Sequence, residues 1–352
     1  MNKAKASGLM HQRAYVWGED GTMYITHQMT HVMEVKRIVD MMAKLIRSKG
    51  PLFKAVEMST KKFVQRTQLG DSILLCMKAD LRAIDEHFPR HRHSPLYTLF
   101  KRFFGRLQLM GEGVYPEELP RVNEAIAKVR AFAKGKALGV HLKDLKRSER
   151  KNAVACKELL DDLRKHYSKV LALRIDFGYI STFCPRVGFR GQAMTFEQAK
   201  VHRDKLLKFV RKGPYSKHLA GYMWKMEYGF EKGYHFHMAF FFDGQQLLKD
   251  ISIADAIGAH WRDEVTEGKG MYFNCNKKKE AYEHCGIGMV ARTDDTKWAY
   301  LEEAMRYLTK VDLYLRFRAG ARARTFGCSN GTYGGIKTPR QATFAPQFRV
   351  AL

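Results

Sequence analysis

No run of about 18 apolar residues occurs anywhere in the chain, so the sequence offers no membrane-spanning helix. Met1 to Tyr24 carries charges but no apolar stretch of the kind that marks a secretory signal. Cysteine is sparse and scattered: Cys76, Cys156, Cys184, Cys275, Cys285 and Cys328 include no Cys-x-x-Cys pair. That spacing argues against a zinc ribbon and a disulfide framework, and fits a reducing cytoplasm. No internal repeat is present. Acidic residues are also short, 36 against 62 Lys and Arg, which leaves a formal net charge of +26. An excess of that size predicts a polyanionic partner, nucleic acid before an anionic membrane. The plainer alternative is a soluble protein that is merely basic.

What the chain does have is apolar patterning. Hydrophobic residues make up 45% of its 352 positions, enough for a globular protein of two domains. The first part reads as helical. Val32, Val35, Ile38, Val39, Met42, Leu45 and Ile46 recur at helix spacing, and Gly50-Pro51 ends the run. Ile73, Leu74, Met77, Leu81 and Ile84 form another apolar face behind a cap at Asp71 or Ser72. Further helices are expected near 95–110, 120–134 and 143–166, the last charged nearly all round and read as solvated or as a connector.

From Val170 the period changes to two. Strands are expected at 170–177, 219–228, from His235 to Phe242, at 270–274 and at 286–291. Thr195 with Gln198 is a capping box opening a helix to about Lys212. Other helices are expected over 252–265 and from Asp294 or Thr296 to about Leu315, with a Gly- and Arg-rich loop after Arg318. The order predicts an α+β fold: an antiparallel sheet of about five strands with helices on one face, preceded by a mainly helical N-terminal region. The expected units are 1–165, 166–326 and a tail of 327–352.

The chemistry centres on His235-Phe236-His237. In a strand both imidazoles point to one side. A turn at Gly229–Gly233 would fold Glu227 beside them, close enough for one carboxylate to reach the same ion. Two imidazoles and a carboxylate suit a divalent metal, Mn2+ or Mg2+, when the substrate is a phosphodiester. A His-x-His pair says little alone, and the chain holds a second, His91-Arg92-His93. That copy lacks an apolar strand and a hairpin carboxylate, and reads as a surface loop. The late helix carries Tyr307 and, three residues on, Lys310 on the same face. An ammonium there favours the phenolate needed for attack on phosphorus. Tyr300 and Tyr314 lie seven residues either side. The alternative is a packing stripe of Tyr, Leu and Met.

His235-Phe236-His237 on an apolar strand, followed by Tyr307-x-x-Lys310 on a helix, resembles the HUH endonuclease superfamily, and within it the inovirus-type replication proteins of filamentous phages and related prophages. Leu173–Tyr179, Trp224–Gly229 and Lys232–His237 carry the likeness as well, which covers about 167–326. The resemblance implies a five-stranded antiparallel sheet, a metal on His235 and His237 with Glu227 as third ligand, and Tyr307 as the nucleophile that nicks single-stranded DNA at a replication origin. It implies initiation of rolling-circle replication in a bacterial cytoplasm, with a host replication helicase as a further candidate partner. Some initiators carry two tyrosines one turn apart. Here the positions four from Tyr307 are Glu303 and Val311, so single-tyrosine chemistry is expected, with Tyr300 or Tyr314 as candidates for a second role. Arg174, Arg186, Arg190, Lys277, Lys278, Lys279, Arg316, Arg318, Arg322 and Arg324 are candidate backbone contacts, and Trp224 is either a stacking platform or core. Two other readings are a DNA-binding regulator on a degenerate version of the fold, and a metal-dependent phosphodiesterase that uses water.

Overall fold

The computed structural model describes residues 15–17, 23–25, 28–58, 61–88, 91–111, 113–184, 193–229, 232–309, 315–317 and 324–329. In chain order the strands are β1 (Tyr15–Trp17), β2 (Met23–Ile25), β3 (Phe53–Met58), β4 (Lys61–Arg66), β5 (His91–His93), β6 (Lys169–Tyr179), β7 (Leu219–Gly229), β8 (Gly233–Asp243), β9 (Gly270–Asn274), β10 (Gly288–Ala291), β11 (Leu315–Phe317) and β12 (Phe326–Cys328). The helices are α1 (Gln28–Leu45), α2 (Gln68–Met77), α3 (Leu81–His87), α4 (Pro95–Phe103), α5 (Leu119–Lys134), α6 (Lys136–His166), α7 (Phe196–Lys212), α8 (Asp250–His260) and α9 (Asp295–Thr309). The fold is mixed α and β, its sheets are antiparallel and its N-terminal region is mainly helical. No helix among the described residues is long and apolar enough to cross a membrane.

The N-terminal helices bury their own core. The α1 stripe of Val32, Val35, Ile38, Met42 and Leu45 packs with Ile73, Leu74, Phe100, Phe104, Val122 and Ile126. The apolar run from Ile73 to Ile84 is two helices rather than one. The first ends at Met77 with Lys78 as its C-cap, and Asp80 caps the second, its carboxylate accepting from the Arg82 and Ala83 amides. The cap of α2 is Thr67, whose hydroxyl accepts from Gly70 N–H, and not Asp71 or Ser72.

The principal sheet has six strands in five positions, rather than about five strands. The order runs β10-β6-β8-β7-β12, and β9 shares the β6 edge with β10. β10 pairs with Lys169–Ala172 and β9 with Ile175–Tyr179. The gap between them is closed by a side chain. Asn276, fully buried, accepts from Arg174 N–H at 2.9 Å and donates to the Ala172 carbonyl at 3.1 Å. Its amide thereby satisfies one backbone donor and one acceptor that would otherwise be buried unpaired.

The sheet is covered on both faces, not one. Phe236, Met238, Phe240 and Phe242 of β8 face α7 and α8, together with Trp261. Each buried Phe contributes roughly 2–3 kcal/mol of transfer free energy. The opposite parity, Ala239 and Phe241 with Ala172 and Met223, faces α6 and α9. The charged helix α6 is therefore no solvated connector: Cys156, Leu159, Leu160 and Leu163 form a stripe that packs on the sheet, while Leu138 joins the N-terminal core. The segment after Arg318 is not all loop, since β12 pairs with Met223–Lys225 of β7. Asp294 caps α9 through the Lys297 amide. Leu315, expected at the end of that helix, lies in β11 instead.

Candidate metal centre

The turn between β7 and β8 brings the site together. Gly233 holds a φ of +61°, a conformation open to glycine and strained for most other residues, and it opens the return strand. The register then sets Glu227 opposite His235 and Lys225 opposite His237. On the other flank of β8, Asp176 of β6 also lies opposite His237. Strand alternation sends these five side chains, with Arg174, to one face.

That face is the one covered farther along by α6 and α9. The two imidazoles present the same edge to Glu227. His235 Nε2 lies 3.5 Å and His237 Nε2 3.8 Å from Glu227 Oε2. The other ring nitrogens meet acceptors: His235 Nδ1 lies 3.2 Å from the Gly233 carbonyl and His237 Nδ1 2.8 Å from Asp176 Oδ1. The His237–Asp176 approach is an ion pair rather than an aligned hydrogen bond. The Gly233 carbonyl at His235 Nδ1 and the Asp176 charge beside His237 Nδ1 favour a proton on each Nδ1 and so a lone pair on each Nε2, the arrangement found at metal-bound histidines.

The three ligand atoms lie within 4.8 Å of one another, close to the span of one first coordination shell, so Glu227, His235 and His237 could hold a metal ion. Among the described residues no other group of three or more His, Cys, Asp or Glu side chains is assembled this way. The second carboxylate oxygen of Glu227 is taken by Lys225 Nζ at 2.6 Å, with both side chains buried. Arg174 closes the cluster, its Nε donating to Asp176 Oδ1 at 3.2 Å.

Burial and charge act in opposite directions here. Burial dominates at His235 and holds its imidazole below the ordinary value, although Glu227 pulls upward. His237 meets the same burial, but Asp176 and Glu227 outweigh it and hold that imidazole above the ordinary value. Burial pushes the Asp176 carboxyl up, yet His237 and Arg174 outweigh it and leave the carboxyl well below the usual carboxylate range.

Tyr307 is half-buried on α9, at the margin of the layer that Trp298, Leu301, Met305 and Leu308 pack onto the sheet. It therefore belongs to the helix that lies on the same sheet face as the histidine pair. Lys310 and Tyr314 lie outside the described residues, as do Arg186, Arg190, Arg318 and Arg322. Tyr300 is stacked on His284, with ring centroids 4.6 Å apart.

A model of the YagK/YfjJ C-terminal domain matches residues 134–329. The chain belongs to the YagK/YfjJ C-terminal domain family. No curated protein and no solved structure matches it. The YagK/YfjJ domain begins at the Gly135 junction between α5 and α6, so it takes in both helical layers and every strand of the principal sheet. α6 thus packs with the sheet it precedes, across the boundary expected at residue 165.

Several residues have other partners than the sequence predicts. Arg174, partly buried, pairs with Asp176, and Lys277 and Lys279 pair with Asp255 and Asp250. Trp224 takes the core alternative of its two readings, buried beneath Arg203, whose guanidinium sits 4.1 Å from the ring centroid. His91-Arg92-His93 is a strand paired with β11, not a surface loop. His91 Nε2 lies 3.0 Å from the Tyr228 carbonyl, next to Glu227. Asp176 and Lys225 went unread in the sequence. Their signal was parity: each is two residues from another charge, Arg174 or Glu227, on the strand face opposite the apolar one.

Proposed function

We propose that this chain is a metal-dependent enzyme that nicks and rejoins single-stranded DNA through a phosphotyrosine, initiating rolling-circle replication from an origin. The observation that supports this reading best is that the Glu227–His235–His237 cluster and the helix bearing Tyr307 share one sheet face. The resemblance to HUH endonucleases and the +26 charge point the same way.

In this reading the Tyr307 oxygen forms a bond to phosphorus and the scissile P–O3′ bond breaks. The 3′ oxygen leaves as a hydroxyl, taking up the proton that the phenol gives up, and the 5′ phosphate stays on Tyr307. A divalent ion, Mn2+ or Mg2+, would supply Lewis acidity at the phosphate, and two imidazole donors suit Mn2+ better than Mg2+. The Asp176 charge beside His237 Nδ1 would favour a proton there and leave Nε2 free to hold an ion. Lys225 holds the second oxygen of Glu227, which would leave Oε2 to hold an ion. Lys310 would orient the phosphate. The test is incubation of labelled origin strands with Mn2+ and denaturing electrophoresis. The wild type should form a covalent protein–DNA band that Tyr307→Phe loses. An undiminished band in that variant refutes the nucleophile.

One observation favours a second reading, a DNA-binding regulator without chemistry. The Lys225–Glu227 ion pair already neutralises the carboxylate without a metal. Salt-dependent DNA binding that ignores Mn2+ and leaves DNA intact would support it.

A further inference from the structure

The loop after the short turn Cys275–Ala281 presents aromatic rings beside the cluster. Tyr282 is 45% exposed. Its hydroxyl is tucked against the Cys275 thiol, within electrostatic reach of Arg174 and Asp176. Asp176 is in turn 2.8 Å from His237. Tyr282 therefore lies on the Arg174–Asp176 side of the candidate metal ligands. Two residues on, exposed His284 stacks nearly flat on Tyr300 of α9, with 19° between the ring planes. Gly286 then seats the loop on that helix: a Cβ there would collide with the Leu301 backbone. Nearby, the Lys278 ammonium lies 5.9 Å from the centre of the Phe273 ring.

We infer that Tyr282 and the His284–Tyr300 stack form a base-stacking platform for single-stranded DNA next to the Glu227–His235–His237 cluster. Flat rings open to water at a loop edge accept bases of any sequence. The alternative, that these rings only pin the loop to α9, explains the His284–Tyr300 pair. It does not account for the exposure of Tyr282, whose hydroxyl meets the Cys275 thiol while 45% of the residue stays open to water. The platform makes Tyr300 a stacking group rather than a second nucleophile. The inference rests on the proposed single-stranded DNA substrate but not on metal binding or nicking.

The test is fluorescence anisotropy with a labelled oligo-dT strand in EDTA, compared with the same backbone carrying abasic sites. The wild type should bind the intact strand at least about fivefold more tightly than the abasic one. Tyr282→Ala with His284→Ala should lower affinity for the intact strand by about tenfold and erase that difference, while the salt dependence stays unchanged. Tyr282→Phe, which keeps the ring and drops the hydroxyl, should bind as the wild type does. Unchanged melting and near-ultraviolet circular dichroism would show that the double variant folds. Equal binding of intact and abasic strands by the wild type overturns the platform, as does full affinity in the double variant. Because no metal or adduct enters the readout, a failure of nicking leaves this result standing, and the converse also holds.

Discussion

Asp176→Asn separates positioning from ligation at the cluster. The carboxylate lies 2.8 Å from His237 Nδ1 and 3.2 Å from Arg174 Nε. Removing a carboxylate that orients a metal-bound histidine typically costs 10- to 100-fold in metal affinity, about 1.4–2.7 kcal/mol. Asp176 also raises the His237 pKa, so two effects oppose each other. In the Asp176→Asn variant the ring is a weaker donor, but a proton competes less for Nε2. At pH 8 proton competition is minor and the full loss of affinity should appear. At pH 6 wild-type His237 is largely protonated in the absence of metal, so the gap between variant and wild type should narrow. Calorimetric titration with Mn2+ at both pH values reads this directly. The variant also leaves the Arg174 guanidinium without its partner. Because Asp176 is 32% exposed and water screens the pair, that should cost roughly 1–2 kcal/mol in urea unfolding. Equal Mn2+ affinity at pH 8 in variant and wild type would refute the role given to Asp176 and weaken His237 as a ligand.

Other perturbations have definite signs. Lys225→Met leaves buried Glu227 without its ion-pair partner and should lower metal-free stability by about 3 kcal/mol. Saturating Mn2+ should then raise the melting temperature more in the variant than in the wild type, and an equal rise would count against Glu227 as a ligand. Mn2+ affinity of the wild type should fall as pH drops through a His237 pKa above 6.5, and a flat profile from pH 8 to 5 would contradict it. The lowered Asp176 carboxyl adds stability that is present above about pH 4 and is lost as pH falls through its folded value, so Asp176→Asn should flatten the acid limb of unfolding. Asn276→Leu leaves the Arg174 N–H and Ala172 carbonyl unpaired at the broken sheet edge and should cost about 2–4 kcal/mol, read by urea unfolding.

The hairpin that gathers Glu227, His235 and His237 was legible because strand alternation and a Gly-bounded turn fix register within a residue or two. The partners of that trio were not. Asp176 and Arg174 sit on a strand whose position in the sheet depends on which neighbours it takes, and one sequence does not state that order. Asn276 was invisible for the same reason, since its partners are backbone groups about a hundred residues away. β12 is three residues long and held by backbone pairing with β7, so side-chain period carries no trace of it. α6 misled differently. Its charges dominate any average over the helix, while the buried face is only the narrow stripe at Cys156, Leu159, Leu160 and Leu163. The division of Ile73–Ile84 into two helices lay in Asp80, a cap hidden inside a continuous apolar pattern.

The proposed chemistry turns on a metal cluster and a tyrosine acting at one phosphate. The most direct measurement is mass-spectrometric mapping of the peptide that carries nucleotide after reaction of a single-stranded origin with Mn2+. The expected result is phosphonucleotide on Tyr307, absent when His235 and His237 are both changed to Ala in a protein that still folds. Nucleotide on another residue, or on Tyr307 at an undiminished level without the histidine pair, would contradict it.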